Sequence, residues 1–453
     1  MGAPEQIASG HEARPTGVRH VVVGALCIAA AINYIPRNFI SVAEKTIRTD
    51  LGLTTFQSGW VLSAFFITYA LAQIPSGQMG QAWGSRRVLS VIAVLWSLMS
   101  GAAALASGFF VLFLTRLGIG AAQAGIFPCS TNSIAKWVPP RRWALANGLL
   151  GSAMQFGNAA ALMLTGFLLE GLSWGPIVLD GLGWRWIVVL YAVPGIVWAG
   201  WFYLWFRDRP EEHGGVNAAE LKVIREGRQE PSNKSAPLPA EPTPWVSIFT
   251  SWAMICICTQ QFLRAAGFML FNSRFATFLQ ETRSVSVAEA GVLNSLPVWA
   301  TVVGSAVCGY ISDWLMARTG SRRISRQWFA AGGMLVFGIL IVMANDISNV
   351  WLAVGVVSLG SFIASSGGPC AYTITIDMGG KHIAPVFSTM NMAGNIGAAV
   401  FPHLVPPLIA WTGNWNLVML MFAGIFVAAA VCWIPFNPNG TIFDRPGSRA
   451  GAA

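Results

Sequence analysis

Charge is scarce in this chain: Asp, Glu, Lys and Arg make up 10% of its 453 residues, whereas 54% are hydrophobic and the mean hydropathy is +0.57. That leaves too little polar surface to cover a water-soluble globule, so the solvent around most of the chain is lipid. The alternating, roughly ten-residue signature of an outer-membrane barrel strand is missing as well. The apolar runs are instead long and unbroken, as at 88–106 and from 350 to 363. They approach the roughly 20 residues that one α-helix needs to span a bilayer, which predicts an all-α, multi-span integral membrane protein.

Chemistry-bearing clusters are lacking too. The seven cysteines (27, 129, 256, 258, 308, 370 and 432) form no CxxC pair and have no histidine nearby, so neither a metal cage nor a disulfide frame is indicated. The five histidines (11, 20, 213, 382 and 403) are dispersed, and no paired acidic motif lies within an apolar run. A membrane-embedded enzyme would need such a cluster, and no metal or cofactor is expected. The first twenty residues lack the apolar core of a secretory signal, and position 6 is Gln, so neither a cleaved leader nor a myristoyl anchor is expected. A formal charge of +9 suggests nucleic acid at first sight, yet the arginines sit in short loops between apolar runs. Orientation in a membrane accounts for them better, and no nucleic-acid partner is expected.

Apolar runs between polar breaks predict twelve spans, near 20–42, 57–79, 87–107, 109–132, 143–170, 184–206, 246–280, 287–315, 327–345, 349–377, 383–411 and 415–435. With a cytoplasmic N-terminus, the inner short loops hold Arg86, Arg87, Lys136, Arg141, Arg142, Arg318, Arg322, Arg323, Arg326 and Lys381, while the outer loops hold mainly Lys45, Arg48, Arg185 and Arg283. This bias places both termini in the cytoplasm and the chain in the cytoplasmic membrane. One long polar interruption divides the spans six and six. The expected organisation is a tail 1–19, a bundle 20–206, a linker 207–245, a bundle 246–435 and a tail 436–453. Within the linker, a short amphipathic helix is predicted at about 217–226, followed by a Pro-rich flexible stretch.

The halves echo one another. Gly84-Ser85-Arg86-Arg87 returns as Gly320-Ser321-Arg322-Arg323, a shift of 236, and Gly157-Asn158 returns as Gly394-Asn395, a shift of 237. Two matches at nearly one offset indicate a duplicated six-helix unit, whose copies are expected to rock about a site near the midplane.

Several motifs occur in a telling order: Asn33-Tyr34 with Arg37, Phe65 through Gly77, Arg116 through Pro128, Gly183-Trp184-Arg185-Trp186, Pro210-Glu211-Glu212-His213 with Asn217 and Glu220, and Asn391 through Asn395. Over about 20–435 the chain resembles the major facilitator superfamily and, within it, the anion:cation symporter family that includes bacterial sugar-acid transporters. The resemblance implies twelve transmembrane helices in two pseudo-symmetric six-helix bundles. It implies secondary transport of a small organic anion, such as a hexonate, hexuronate or related carboxylate, by alternating access, with H+ or Na+ as the coupling ion. It also implies substrate contacts for Arg37, Tyr34, Tyr69, Gln155 and Asn391. The carboxylates that usually carry the coupling proton in that family fall at Pro36 and Gln123 here, and neither side chain exchanges a proton. The superfamily loop pattern survives as Gly77, Gly84, Arg86 and Arg87, with Gln81 and Ala82 in place of its charged pair, and in the second half as Gly309, Asp313 and Arg322. These residues are expected to form a conformational latch on the inner face, with Asp313 paired to Arg322.

An arginine near the bilayer centre costs roughly 2.5–3.5 kcal/mol on insertion scales, so it normally lines an aqueous cavity or meets an anion. Arg37, Arg116, Arg264 and Arg274 are the candidates, and no lysine lies deep in any span. Guanidinium presents a planar fork of donors that fits a carboxylate at two points. Arg37 stands toward the outer end of its run, where snorkelling competes with substrate binding. Arg116 lies about 10 Å inside its span at 1.5 Å per residue. Arg274 follows Arg37 by the repeat offset of 237, which predicts that both face one cavity. Arg264, beside Gln260 and Gln261, adds charge for a dianionic or larger acid, or bonds to backbone near Gly267. Tyr34, Tyr69, Gln73, Gln155, Tyr372 and Asn391 offer neutral groups that read hydroxyls or, alternatively, join helices. His403 and Asp377 are the remaining titratable candidates for proton coupling. Two competing readings are efflux of apolar or cationic compounds, which arginines without opposing carboxylates would disfavour, and a membrane enzyme.

Overall fold

The computed structural model describes residues 14–174, 177–227, 243–273, 275–285, 287–400, 408 and 411–443. The N-terminal half comprises α1 (Val18–Asp50), α2 (Thr55–Trp83), α3 (Ser85–Ala103), α4 (Phe109–Gln123), α5 (Ile126–Trp137), α6 (Trp143–Glu170) and α7 (Trp184–Trp205). A linker helix α8 (Ala218–Arg225) and a short α9 (Trp245–Thr250) lead to the C-terminal half. That half comprises α10 (Trp252–Ser273), α11 (Phe275–Arg283), α12 (Val287–Thr319), α13 (Phe329–Asp346), α14 (Val350–Ala364), α15 (Gly367–Gly379), α16 (Ile383–Val400) and α17 (Trp415–Cys432).

The pair α4–α5 is one span broken in the middle, as is α14–α15, so the helices make twelve spans in two six-helix bundles. Among the described residues, ten spans are long and apolar enough to cross a membrane. Helices α10 and α16 complete the set, and each carries polar residues at mid-length. The two breaks correspond: Pro128 and Pro369 each occupy the third position of the restarting helix. A first turn has unpaired N–H groups anyway, so proline is tolerated there where a helix interior would be disrupted. Outward faces are apolar, as at Val193, Val197 and Leu204 of α7, which matches lipid rather than water.

Between α6 and α7 lies a two-stranded antiparallel hairpin, β1 (Gly171–Trp174) and β2 (Ile177–Asp180), with Gly171 opposite Asp180. It is a local exception to the helical expectation. Near it, Asp50 accepts a hydrogen bond from Trp184 Nε1 at 3.0 Å and pairs with Arg185, and these contacts hold its carboxyl below the usual range.

At the other end the linker helix α8 forms where the sequence predicts it. Asn217 caps it by accepting from the Glu220 N–H at 2.8 Å, and Asn217 Nδ2 also donates to the Arg14 carbonyl at 2.8 Å. The fully buried Glu220 carboxylate then accepts from the backbone N–H groups of Gly17 (3.1 Å) and Arg19 (3.2 Å) and pairs with the Arg19 side chain at 2.6 Å. An acid at the start of α1 opposes the positive end of that helix and docks the linker on it. The Pro-rich stretch 228–242 lies outside the described residues.

The two halves meet mainly where α6 crosses α12 and α2 crosses α16. Gly148 faces the Ser305 carbonyl and Gly309 the Ala144 carbonyl so closely that a Cβ at either position would collide. Glycine is what allows these helices to touch.

Candidate functional site

A cavity of about 380 Å³ lies between the two halves, within the roughly 300–1,000 Å³ of small-molecule sites. Its N-terminal wall includes Tyr34, Arg37, Asn38, Tyr69, Gln155 and Asn158, and its C-terminal wall Gln261, Arg264, Thr301, Tyr372, Asn391 and Asn395. Phe66, Phe127, Met154, Phe268 and Met269 fill in the apolar surface. Two guanidinium groups thus face one space from opposite halves, and no acidic residue is among the described residues lining it.

Arg37 is held for this task by aromatic rings. Its guanidinium carbon lies 4.7 Å from the ring centre of Tyr34, 4.8 Å from that of Phe65 and 4.9 Å from that of Tyr69. Nη1 donates to Tyr34 Oη at 3.1 Å. Ring faces attract the cation and fix its plane, yet they accept few of its N–H bonds. Across the cavity, Arg264 Nε donates to Gln261 Oε1 at 3.0 Å. Its stem packs beside the first turn of α15, where a Cβ at Gly367 would stand 3.1 Å from Arg264 Cδ. Neither arginine forms an ion pair with a described carboxylate. Below them Asn391 Nδ2 donates to Gln73 Oε1 at 2.8 Å, joining α16 to α2.

Arg116 does not belong to this lining. Only 4% exposed, it turns toward α1, where Nη1 meets the Pro36 carbonyl at 3.4 Å and Nη2 the Arg37 carbonyl at 3.3 Å. The sequence expectation places it in direct substrate contact, whereas here it faces α1 and not the cavity, because depth in a span fixes burial but not the direction of the side chain. Gln123 braces the same helix, donating to the Asn33 carbonyl at 3.0 Å. Arg274 and His403 lie outside the described residues. Tyr34, Arg37, Tyr69, Gln155, Arg264, Tyr372 and Asn391 are brought together as expected from the sequence. Asn158 and Asn395 were missed as site residues, although the repeated Gly-Asn pair marked both.

The linker end of the cavity is sealed by contacts between halves, and here the latch departs from expectation. Asp313 accepts from the backbone N–H groups of Ala144 (3.2 Å) and Leu145 (2.7 Å) and pairs with Arg326 at 2.8 Å. Arg322 reaches Asp377 instead, at 3.6 Å within its own half. The π-helical turn Arg323–Trp328 carries Arg326 inward, beside Asp313. In the first half, Gln81 takes the crossing role, its Nε2 lying 2.7 Å from the Lys381 carbonyl and 3.1 Å from His382 Nδ1. Gly77 abuts Ser388 of α16. Arg86 stays within its half, donating to the Tyr203 carbonyl at 2.7 Å, while Gly84 adjoins Asp208, which accepts from the Arg86 N–H at 3.1 Å. Arg87 is exposed at the start of α3. Asp377, at the linker end and paired, is no part of the cavity wall.

Two bundles around a central cationic cavity, sealed at one end, define a membrane carrier. The chain belongs to the Major Facilitator Superfamily, matching it over residues 26–318 and 257–451. It is 27% identical over 438 residues to a probable sulfoacetate transporter of Cupriavidus necator, covering 96% of this chain and 97% of that one. It is 29% identical to a probable galactarate/D-glucarate transporter of Escherichia coli, covering 95% of each. Among solved structures, the proton:xylose symporter XylE superposes with a TM-score of 0.68 at 14% identity, over 91% of this chain and 94% of that one, a likeness of fold.

Proposed function

We propose that the protein is a secondary transporter of small organic anions and that diacids are its preferred class. The observation that carries this reading is the placement of Arg37 and Arg264 in one cavity with no acidic residue among its described lining. Each guanidinium offers a fork of donors to one acid group. The neutral wall of Gln155, Asn158, Asn391 and Asn395 suits hydroxyls between two such ends. The named substrates of the two relatives, sulfoacetate and galactarate or D-glucarate, each carry two acid groups, which supports the same class.

Transport proceeds by alternating access: the sealed linker end opens as the far end closes. The bundles 20–206 and 246–435 are the rocking units, with 207–245 as the cytoplasmic link and both termini in the cytoplasm. The excess of arginine at the linker end supports that orientation and residence in the cytoplasmic membrane. The family resemblance implies coupling to H+ or Na+, but no described cavity residue offers either ion a carboxylate. A panel of labelled acids in proteoliposomes tests the reading: diacids are expected to compete at least about tenfold better than their monoacid counterparts. Equal competition would remove the assignment to diacids.

A further inference from the structure

Of the 19 acidic residues, the 14 among the described residues lie near helix ends, at the end of β2 or in loops. Asp313 and Asp377, the carboxylates inside the C-terminal bundle, are committed to Arg326 and Arg322 at the linker end. Among the described residues, Arg37 and Arg264 therefore face the cavity with no fixed counter-charge. Among the described lining residues, the groups beside them are tyrosines, amides, hydroxyls and apolar side chains, none of which exchanges a proton near neutrality.

Closing the far end over this space must take both guanidiniums out of water. Without an anion, two like charges would remain together in a low-dielectric interior, and on insertion scales each uncompensated arginine there slows the step on the order of a hundredfold. A bound dianion supplies two negative charges and the acceptor oxygens that the ring-stacked Arg37 lacks. A proton would add charge of the wrong sign, and Na+ would find no anionic ligand. On this basis, which rests on the reading of the cavity as an anion site, we infer that the protein is an exchanger: one small dianion must occupy the cavity for each passage, so inward movement of one is tied to outward movement of another.

The test uses purified wild-type protein and labelled D-glucarate as the probe. Binding in detergent is measured first by calorimetry, and uptake is then compared between vesicles preloaded with unlabelled D-glucarate and vesicles holding buffer, the latter with and without imposed pH or Na+ gradients. Preloading is expected to accelerate uptake about tenfold or more, somewhat below the limit because some water stays in the cavity. Neither gradient is expected to replace it. In Arg264→Gln the ratio of loaded to unloaded uptake is expected to fall toward unity. Binding without any advantage of preloading, or with a gradient driving equal uptake into buffer-filled vesicles, would overturn exchange while leaving the anion site standing. Absence of D-glucarate binding would overturn the diacid site itself and the exchange built on it.

Discussion

Leu145, in the first turn of α6, gives its backbone N–H to Asp313 of α12 at 2.7 Å, so a carboxylate of one bundle caps a helix of the other. The bond spans both bundles, so opening of the linker end is expected to break it. Asp313→Asn is expected to shift the balance away from the sealed form by about 1.5–3 kcal/mol, roughly ten- to a hundredfold. It also leaves Arg326, 2% exposed, without its counter-ion. Distances between spin labels on the linker ends of α2 and α16 check this. The variant should populate longer distances, and an unchanged distribution would end the latch role.

Arg37 is constrained by three ring faces and by Tyr34 Oη. Arg37→Lys keeps the charge but loses the fork and the planar stacking, so diacid affinity is expected to fall about tenfold or more. Calorimetry on the detergent-solubilised variant reads this. Affinity equal to wild type would mean that charge alone, without fork geometry, is recognised.

Much of this arrangement is legible in the sequence because bilayer thickness converts directly into run length, and the repeat offset converts into pseudo-equivalent positions. Seven of the nine expected substrate contacts meet in one cavity, and of these Tyr34, Arg37, Tyr69, Gln155 and Asn391 are marked by the family resemblance rather than by run length or offset. What the sequence hides is rotation about a helix axis. Arg116 is buried as its depth requires, yet it faces α1, and nothing in its flanks distinguishes that from facing the cavity. The latch partner is hidden for a related reason: a π turn displaces Arg326 toward Asp313 by a spacing that ordinary helical periodicity does not contain.

His213 links the linker to the end of α7, with ring centres 5.6 Å from Trp137 and 4.9 Å from Trp205. Burial, helped by the Arg207 charge, pulls its pKa below the ordinary value. A depressed folded-state pKa means that the neutral ring is favoured in the fold. Its contribution is present above about pH 6.5 and is lost as pH falls below that value. The protection factors of the amides at 213–226, that is, exchange corrected for its intrinsic base-catalysed rate, are therefore expected to fall between about pH 6.5 and pH 5, and His213→Phe should abolish that fall. An identical profile in the variant would assign the loosening to another group.

Gln123 stands fully buried on α4 and donates to the Asn33 carbonyl of α1 at 3.0 Å, in the segment of α1 that carries Arg37. A carboxylic acid in place of this amide would keep that donation while protonated, whereas its ionised form has no proton to give. Gln123→Glu therefore makes the bracing of α1 depend on a proton. Uptake of a diacid into buffer-filled vesicles is expected to appear in this variant and to rise as the outside is acidified from about pH 8 to about pH 5.5, while wild type stays flat over that range. The introduced group also brings a negative charge near α1 when ionised, which partly compensates the cationic cavity and eases its closure without cargo. Transport by the variant that is as flat with pH as wild type, in protein that still binds D-glucarate, would show that α4 does not communicate with Arg37 through this contact.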